Sequence, residues 1–291
     1  MDDVCAAGIT SRTISKAEDL AQSYDIEQVF ENIEDLIHKC APDGIIILVS
    51  ANQIYDVTKK LIPANIPLFI EKPPGLVPDQ TKTLVELAQK YGTKTMVGFN
   101  RRYYSIFQKG IDLINQSSGL LGLTVEGHER FWKISDRDIP DEIRNTWAYA
   151  NSTHTIDLLR FFGGEIKSIN SLSKSLKEIN SDQFVASMEF ESGALGTYTS
   201  HWFSPGGWSV TLYGEGITVE FKPLEKGVWI DTDLSEYEIH PDEVDTKYKP
   251  GFYGQMEAFI KIVNTGELDW PGMDLENAYS TMRLAEQISC A

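Results

Sequence analysis

Cysteine is scarce in this chain. Its 291 residues include three cysteines, Cys5, Cys40 and Cys290, far apart and without a C-x-x-C pair. That pattern supports neither a disulfide framework nor a zinc knuckle, and it fits a reduced, cytoplasmic setting. No apolar run approaches the ~18 residues of a membrane-crossing helix, and no signal-peptide pattern opens the sequence. Positive charge is in the minority: 26 lysines and arginines face 43 acidic residues, for a net charge of −17. Such a surface repels nucleic acid and anionic membranes, so neither is expected as a partner. It reads as a solvated acidic face and leaves room for one local basic pocket. His128, His201 and His240 have no ligand spacing, so no metal site is argued. There is no G-x-S-x-G elbow and no P-loop, which removes support for hydrolase and kinase chemistry. The sequence also has no G-x-G-x-x-G turn. Its one G-x-G, Gly214-Glu215-Gly216, lies between two strand-like runs and reads as a hairpin turn.

What the sequence does have is a pair of apolar strands with charged tips. Ile66 to Ile70 runs into Glu71-Lys72-Pro73-Pro74, and Thr95 to Phe99 runs into Asn100-Arg101-Arg102. Open α/β sheets place ligand chemistry at the carboxyl ends of their strands. Around these two, strands and helices alternate with short links. Val4–Ile9 reads as a short buried strand, and Ser15-Lys16-Ala17-Glu18 has capping-box spacing before a helix that reaches Tyr24. Asn32–Lys39 is a short helix. Gly44–Val49 is a β-branched run, expected to be buried on both faces in a parallel sheet. Asn52–Leu61 and Pro78–Tyr91 are helical, the second opened by proline and closed by Gly92. The first 102 residues therefore read as a doubly wound α/β layer.

The texture then changes. Ile106–Asn115 is helix-like and Leu121–Trp132 alternates as a strand. Further strands are expected at 166–172, 184–190, 196–203, 209–213, 217–221 and 228–230, with glycine turns joining neighbours. Asn151–Phe162 reads as a helix closed by Gly163-Gly164, with His154 in its first turn, where the helix dipole favours a neutral imidazole. Helices at 252–263 and 274–289 close the chain. Residues 103–291 thus form an α+β domain with an open, mainly antiparallel sheet. Trp132, Trp147, Trp202, Phe203, Trp208 and Tyr253 could line a sugar pocket or fill a core.

Glu71-Lys72-Pro73 followed by Val97-Gly98-Phe99-Asn100-Arg101-Arg102 resembles the glucose-fructose oxidoreductase / inositol dehydrogenase (Gfo/Idh/MocA) family. Ser50-Ala51-Asn52 resembles its T-P-N turn, and Ser11-Arg12-Thr13 looks like the cofactor-discriminating turn of members that accept NADP. The resemblance implies an NAD(P)-dependent oxidoreductase acting on a hydroxyl or carbonyl of a sugar, nucleotide sugar or polyol, and a homodimer or homotetramer formed through the open sheet. It assigns Lys72 and His154 to catalysis and Ser11, Arg12, Asn52, Glu71, Pro73, Asn100 and Arg101 to the cofactor. NADP is favoured over NAD, because a guanidinium fork at the second strand end suits a 2′-phosphate; Arg12 reads equally as a solvated loop charge. A strand-tip ammonium can stabilise a developing alkoxide or relay a proton. Around His154 the match to the family's D-x-G-x-H is partial, since Ala150 stands at the aspartate and Ser152 at the glycine. Asp157 could share the histidine's face, or serve the helix itself.

The resemblance begins at the family's second strand, so the first βα unit is expected to be absent. Either the sequence is a fragment of a whole enzyme, or the short form is a non-catalytic sugar-binding or oligomerising relative. A redox-neutral, NAD-dependent glycosidase is a further alternative. Glycine amides at a helix start carry much of dinucleotide affinity, so the chain as it stands is expected to bind NADPH poorly.

Overall fold

The computed structural model describes residues 4–134, 136–178 and 180–290. Strand–helix alternation builds a parallel layer in two parts. β1 (Ile9–Thr10) and β2 (Val29–Phe30) pair in parallel, linked by α1 (Ile14–Ser23). After α2 (Ile33–Asp35) and a π-helical turn over Leu36–Cys40 comes a second group, β3 (Ile45–Ile47), β4 (Leu68–Ile70) and β5 (Thr95–Val97), parallel and in that order. Its crossovers are α3 (Ala51–Leu61) and α4 (Pro78–Tyr91). Pro78 sits in the first turn of α4, and Gly92 ends it at φ 72°, a left-handed value that glycine adopts without penalty.

Some expectations fail in this layer for physical reasons. The capping box does not form, because α1 begins at Ile14 and both Ser15 and Glu18 fall inside it. The true cap lies elsewhere: Asn32 accepts from the Asp35 amide at 2.8 Å. The Gly44–Val49 run is not buried on both faces. Leu48 is 69% and Ile46 48% exposed, because β3 is an edge strand that makes no ladder with β1 or β2. β4, paired on both sides, is the buried one, and its three residues have essentially no exposure.

The second layer opens with α5 (Ser105–Gln116), β6 (Leu120–Gly127), α6 (Phe131–Ile134), α7 (Asp141–Asn145) and α8 (Thr153–Gly163). It continues with β7 (Ile166–Lys174), β8 (Gln183–Phe190), β9 (Leu195–His201), β10 (Trp208–Gly214), β11 (Ile217–Phe221), β12 (Gly227–Ile230) and β13 (Glu236–Ile239). These strands form one sheet in the order β13-β12-β11-β10-β6-β9-β8-β7, antiparallel except for β6 against β9. The glycine turns at 193 and 214–216 are hairpins, as read. β6 is shorter than expected. It stops at Gly127, where a Cβ would meet the Tyr198 hydroxyl and Thr155 Oγ1, and Phe131 already belongs to a helix.

α9 (Glu243–Lys247), α10 (Phe252–Thr265) and α11 (Leu275–Ser289) complete the chain. α11 serves both layers. Leu275 and Ala278 enter the core of the parallel sheet with Ile70 and Val97, whereas Leu284, Ala285 and Ile288 enter the core under the large sheet. The Met273 carbonyl accepts from Val97 N at 2.7 Å and so covers the free edge of β5.

Candidate active site

The tip of β4 presents Glu71 and Lys72, joined to Pro73 by a cis peptide bond. Lys72 Nζ donates to the Ala150 carbonyl oxygen at 2.8 Å. That carbonyl belongs to a π-helical turn, Ala148–Ser152, which leads directly into α8 and its His154. The turn therefore brings lysine and histidine together from different layers. The imidazole is buried between the edge of Phe99, at 6.2 Å between ring centres, and the Trp208 indole, at 5.8 Å. Its Nδ1 has no hydrogen-bond partner among the described residues.

The electrostatics follow from burial. Desolvation, reinforced by the cationic Lys72, Arg101 and Lys249, holds His154 well below its ordinary pKa, so the ring is neutral. Lys72 is lowered to about 8, mainly by burial, with Arg101 adding to the effect and Glu71 and Glu129 opposing it. Burial raises Glu71. The Glu71 carboxylate packs against Gly98, where an added Cβ would lie 3.1 Å from Oε2 and 2.8 Å from the Phe69 ring. The two strand tips thus approach closely because position 98 carries no side chain.

The other strand-tip residues divide. Arg101 lays its guanidinium over Trp208, 4.5 Å from the ring centre, and its buried Nε is unpartnered among the described residues. Asn100 donates to the Pro250 carbonyl at 3.2 Å and so holds the entry to α10. Asn52 is engaged by Ser50 and by Glu142 of α7. Ser11 and Arg12 follow β1, in the separate two-stranded group, and Arg12 is exposed. Asp157 does not serve His154: it takes Arg102 and the Thr281 hydroxyl. Of the aromatic residues considered for a sugar pocket, Trp208 lies at the site. Trp202 is core, stacked on Phe131 at 5.0 Å, and Trp147 and Phe203 pack on that same ring.

Glu129 was not expected here. It lies in the loop after β6, buried, and accepts from Asn151 Nδ2 at 2.9 Å on both oxygens and from Ser152 Oγ at 3.1 Å. In the sequence Glu129 stands in a polar stretch, Gly127-His128-Glu129-Arg130-Phe131, and resembles an ordinary exposed strand position.

Residues 2–99 match the family described as "Oxidoreductase family, NAD-binding Rossmann fold", and residues 124–220 match "GFO/IDH/MocA C-terminal domain". The chain belongs to the Gfo/Idh/MocA family. It is similar to an uncharacterized oxidoreductase, YrbE, of Bacillus subtilis, with 27% identity over 194 residues, covering 62% of this chain and 55% of that one. It is also similar to the scyllo-inositol 2-dehydrogenase (NAD(+)) of Bacillus subtilis, with 24% identity over 275 residues, covering 87% of this chain and 76% of that one. Among solved structures, a dehydrogenase from Chromobacterium violaceum superposes with a TM-score of 0.84 at 17% identity, covering 99% of this chain and 87% of that one.

For a Gfo/Idh/MocA protein the dinucleotide fit can be tested at the strand tips. His154 Nδ1 and Arg101 Nε are both buried and unpartnered among the described residues, Lys72 and Arg101 act electrostatically on the imidazole, and these residues fit the reacting end of such a cofactor. This sequence contains no G-x-G-x-x-G turn, the pattern whose backbone amides cradle a pyrophosphate.

Proposed function

We propose that this protein is an NAD(P)-dependent oxidoreductase acting on a hydroxyl or carbonyl of a sugar, nucleotide sugar or polyol. One observation carries the reading: Lys72 is tied to the turn that delivers a neutral, buried His154 with a free ring nitrogen. When bound, the nicotinamide supplies hydride transfer at carbon; everything else is work for this chain. In the oxidative direction, the neutral His154 imidazole accepts the hydroxyl proton. Lys72 donates a hydrogen bond to the same oxygen and stabilises the charge that develops there. In the reductive direction the same two groups return the proton. Phe99 and Trp208 keep water from the imidazole, and Trp208 offers an indole face on which a sugar ring can stack. NADP is favoured over NAD through Arg12, which is exposed and free to meet a 2′-phosphate. The name of the scyllo-inositol relative supports a cyclic polyol as the substrate class.

The test is the absorbance of reduced nicotinamide, followed with NAD and with NADP over a panel of inositols, free sugars and nucleotide sugars. We expect turnover with at least one, reduced by roughly 10²–10⁴-fold in Lys72→Met and His154→Ala. A panel without net cofactor reduction or oxidation, or turnover indifferent to both substitutions, overturns the proposal.

A further inference from the structure

We infer that Glu129 is a positioning residue of this site: its carboxylate anchors the turn that carries the Ala150 carbonyl and, beside Glu71, supplies negative charge that acts on Lys72. The significance of the inference for catalysis rests on the function proposed above.

The geometry is specific. Ser200 Oγ donates to the Gly127 carbonyl at 2.6 Å, and the absence of a side chain at Gly127 lets β6 press against Thr155 and Tyr198. That contact sets the loop after β6 beside the first turn of α8. Glu129 is then 5% exposed, and three hydrogen bonds fasten it to Asn151 and Ser152, the two residues that follow Ala150. Burial raises the Glu129 pKa, and the donors, an amide and a hydroxyl, oppose that shift by favouring the ionised form. Among the described residues Glu129 forms no ion pair at contact distance, and Lys72 and Arg101 are the cations that feel its charge. A buried carboxylate without an ion-pair partner at contact distance is expensive to keep ionised. Glu129 is bonded to the residue that follows the Lys72 acceptor, where a site that uses its charge would place it. Ala150 contributes no carboxylate of its own; the neighbouring loop provides one instead. The charged or titratable groups around Lys72 are Glu71, Arg101, Glu129 and the neutral His154.

The experiment follows lysine ionisation directly, without turnover, by NMR titration of protein carrying ¹³Cε-lysine, with Lys72 assigned through Lys72→Arg. The wild-type midpoint is expected near 8. Glu129→Gln keeps the shape and removes the charge, so the Lys72 midpoint should fall by on the order of one pH unit. Glu129→Asp, which keeps the charge, should restore most of that shift. An unchanged midpoint in natively folded Glu129→Gln overturns the inference. Should that variant fail to fold, the wild-type Glu129 carboxyl resonance decides. An ionised carboxylate at neutral pH supports the inference, and a protonated one overturns it. A shifted midpoint in a protein inert toward every sugar would leave this inference standing and sink the proposed function; turnover with an unshifted midpoint would do the reverse.

Discussion

Arg102 grips Asp157 with two nitrogens, Nε to Oδ2 at 2.7 Å and Nη2 to Oδ1 at 2.8 Å. Arg102 comes from the turn at the tip of β5, Asp157 from α8, and Thr281 of α11 adds its hydroxyl to the same carboxylate at 3.0 Å. One buried pair therefore joins the strand tip to two helices, and it sits one helical turn below His154. Asp157→Ala strands a buried guanidinium and should cost about 3–5 kcal/mol. Replacing both partners with apolar residues, Arg102→Met with Asp157→Leu, should recover most of that loss. Denaturant midpoints across the double-mutant cycle measure the coupling.

His154 gives stability a defined slope on the acid side. Its folded pKa lies well below 6.5, so the unfolded chain binds a proton that the folded chain refuses. Stability is then full above the unfolded value and declines as the pH falls through and below 6.5. His154→Phe should flatten that part of the profile. Thermal midpoints of wild type and variant between pH 5 and pH 8, as roughly the window in which an ordinary histidine titrates, report the difference.

Lys72 sets the opposite trade. The folded protein gives up its proton at about 8 and the unfolded chain at 10.5. Below 8 the full penalty of a buried ammonium opposes folding, and it is relieved as the pH rises between the two values. Lys72→Met should therefore stabilise the protein at pH 7 by about 1–2 kcal/mol, discounted for the lost bond to Ala150, while lowering turnover as proposed above. The stabilisation should shrink toward pH 10.5. A variant that is less stable than wild type at neutral pH would show that Lys72 is structural.

Local pattern revealed the elements whose chemistry is local. The β4 run ending in Glu71-Lys72, the proline-to-glycine helix of α4 and the hairpins at Gly193 and Gly216 are all where the spacing puts them. The two-residue strand β2 is too short to carry a period, and β13, Glu236-Tyr237-Glu238-Ile239, is exposed along most of its length. The exposure of β3 escaped for another reason: an apolar run reports what a strand could bury, and its neighbours decide what it does bury. For the candidate site, motif context pointed to Lys72 and His154, which the structure brings together at the turn before α8. It did not point to Glu129, because that residue's role depends on a contact between β6 and α8 that only the close packing at Gly127 creates.

Dinucleotide affinity follows from the chemistry of the phosphate end. This sequence has no G-x-G-x-x-G turn whose backbone amides would hold the pyrophosphate. This chain should bind NADPH more weakly than micromolar, and the assays above call for high cofactor concentrations. Titration of nicotinamide fluorescence checks this, and micromolar binding would show that another part of the chain replaces the cradle.

The large sheet has one face on the α8 core and one open. Register places Leu172 opposite Val185, Leu195 opposite Gly122, and Gly122 opposite Tyr213, so these side chains share the open face with the Thr197–Thr124 hydroxyl pair. Leu172 is 77% and Leu195 65% exposed. These exposed apolar groups, set beside ion pairs such as Lys222–Glu126 and Lys167–Glu189, make the face a candidate subunit interface. A second copy of this chain placed against that face, related by a two-fold axis, would pair like strands across it. Light scattering after size exclusion should give the mass of a dimer or tetramer. Leu195→Glu, which puts a charge where two copies meet, should shift the population to monomer without lowering secondary structure. A wild-type monomer at all concentrations would mean that the face stays open.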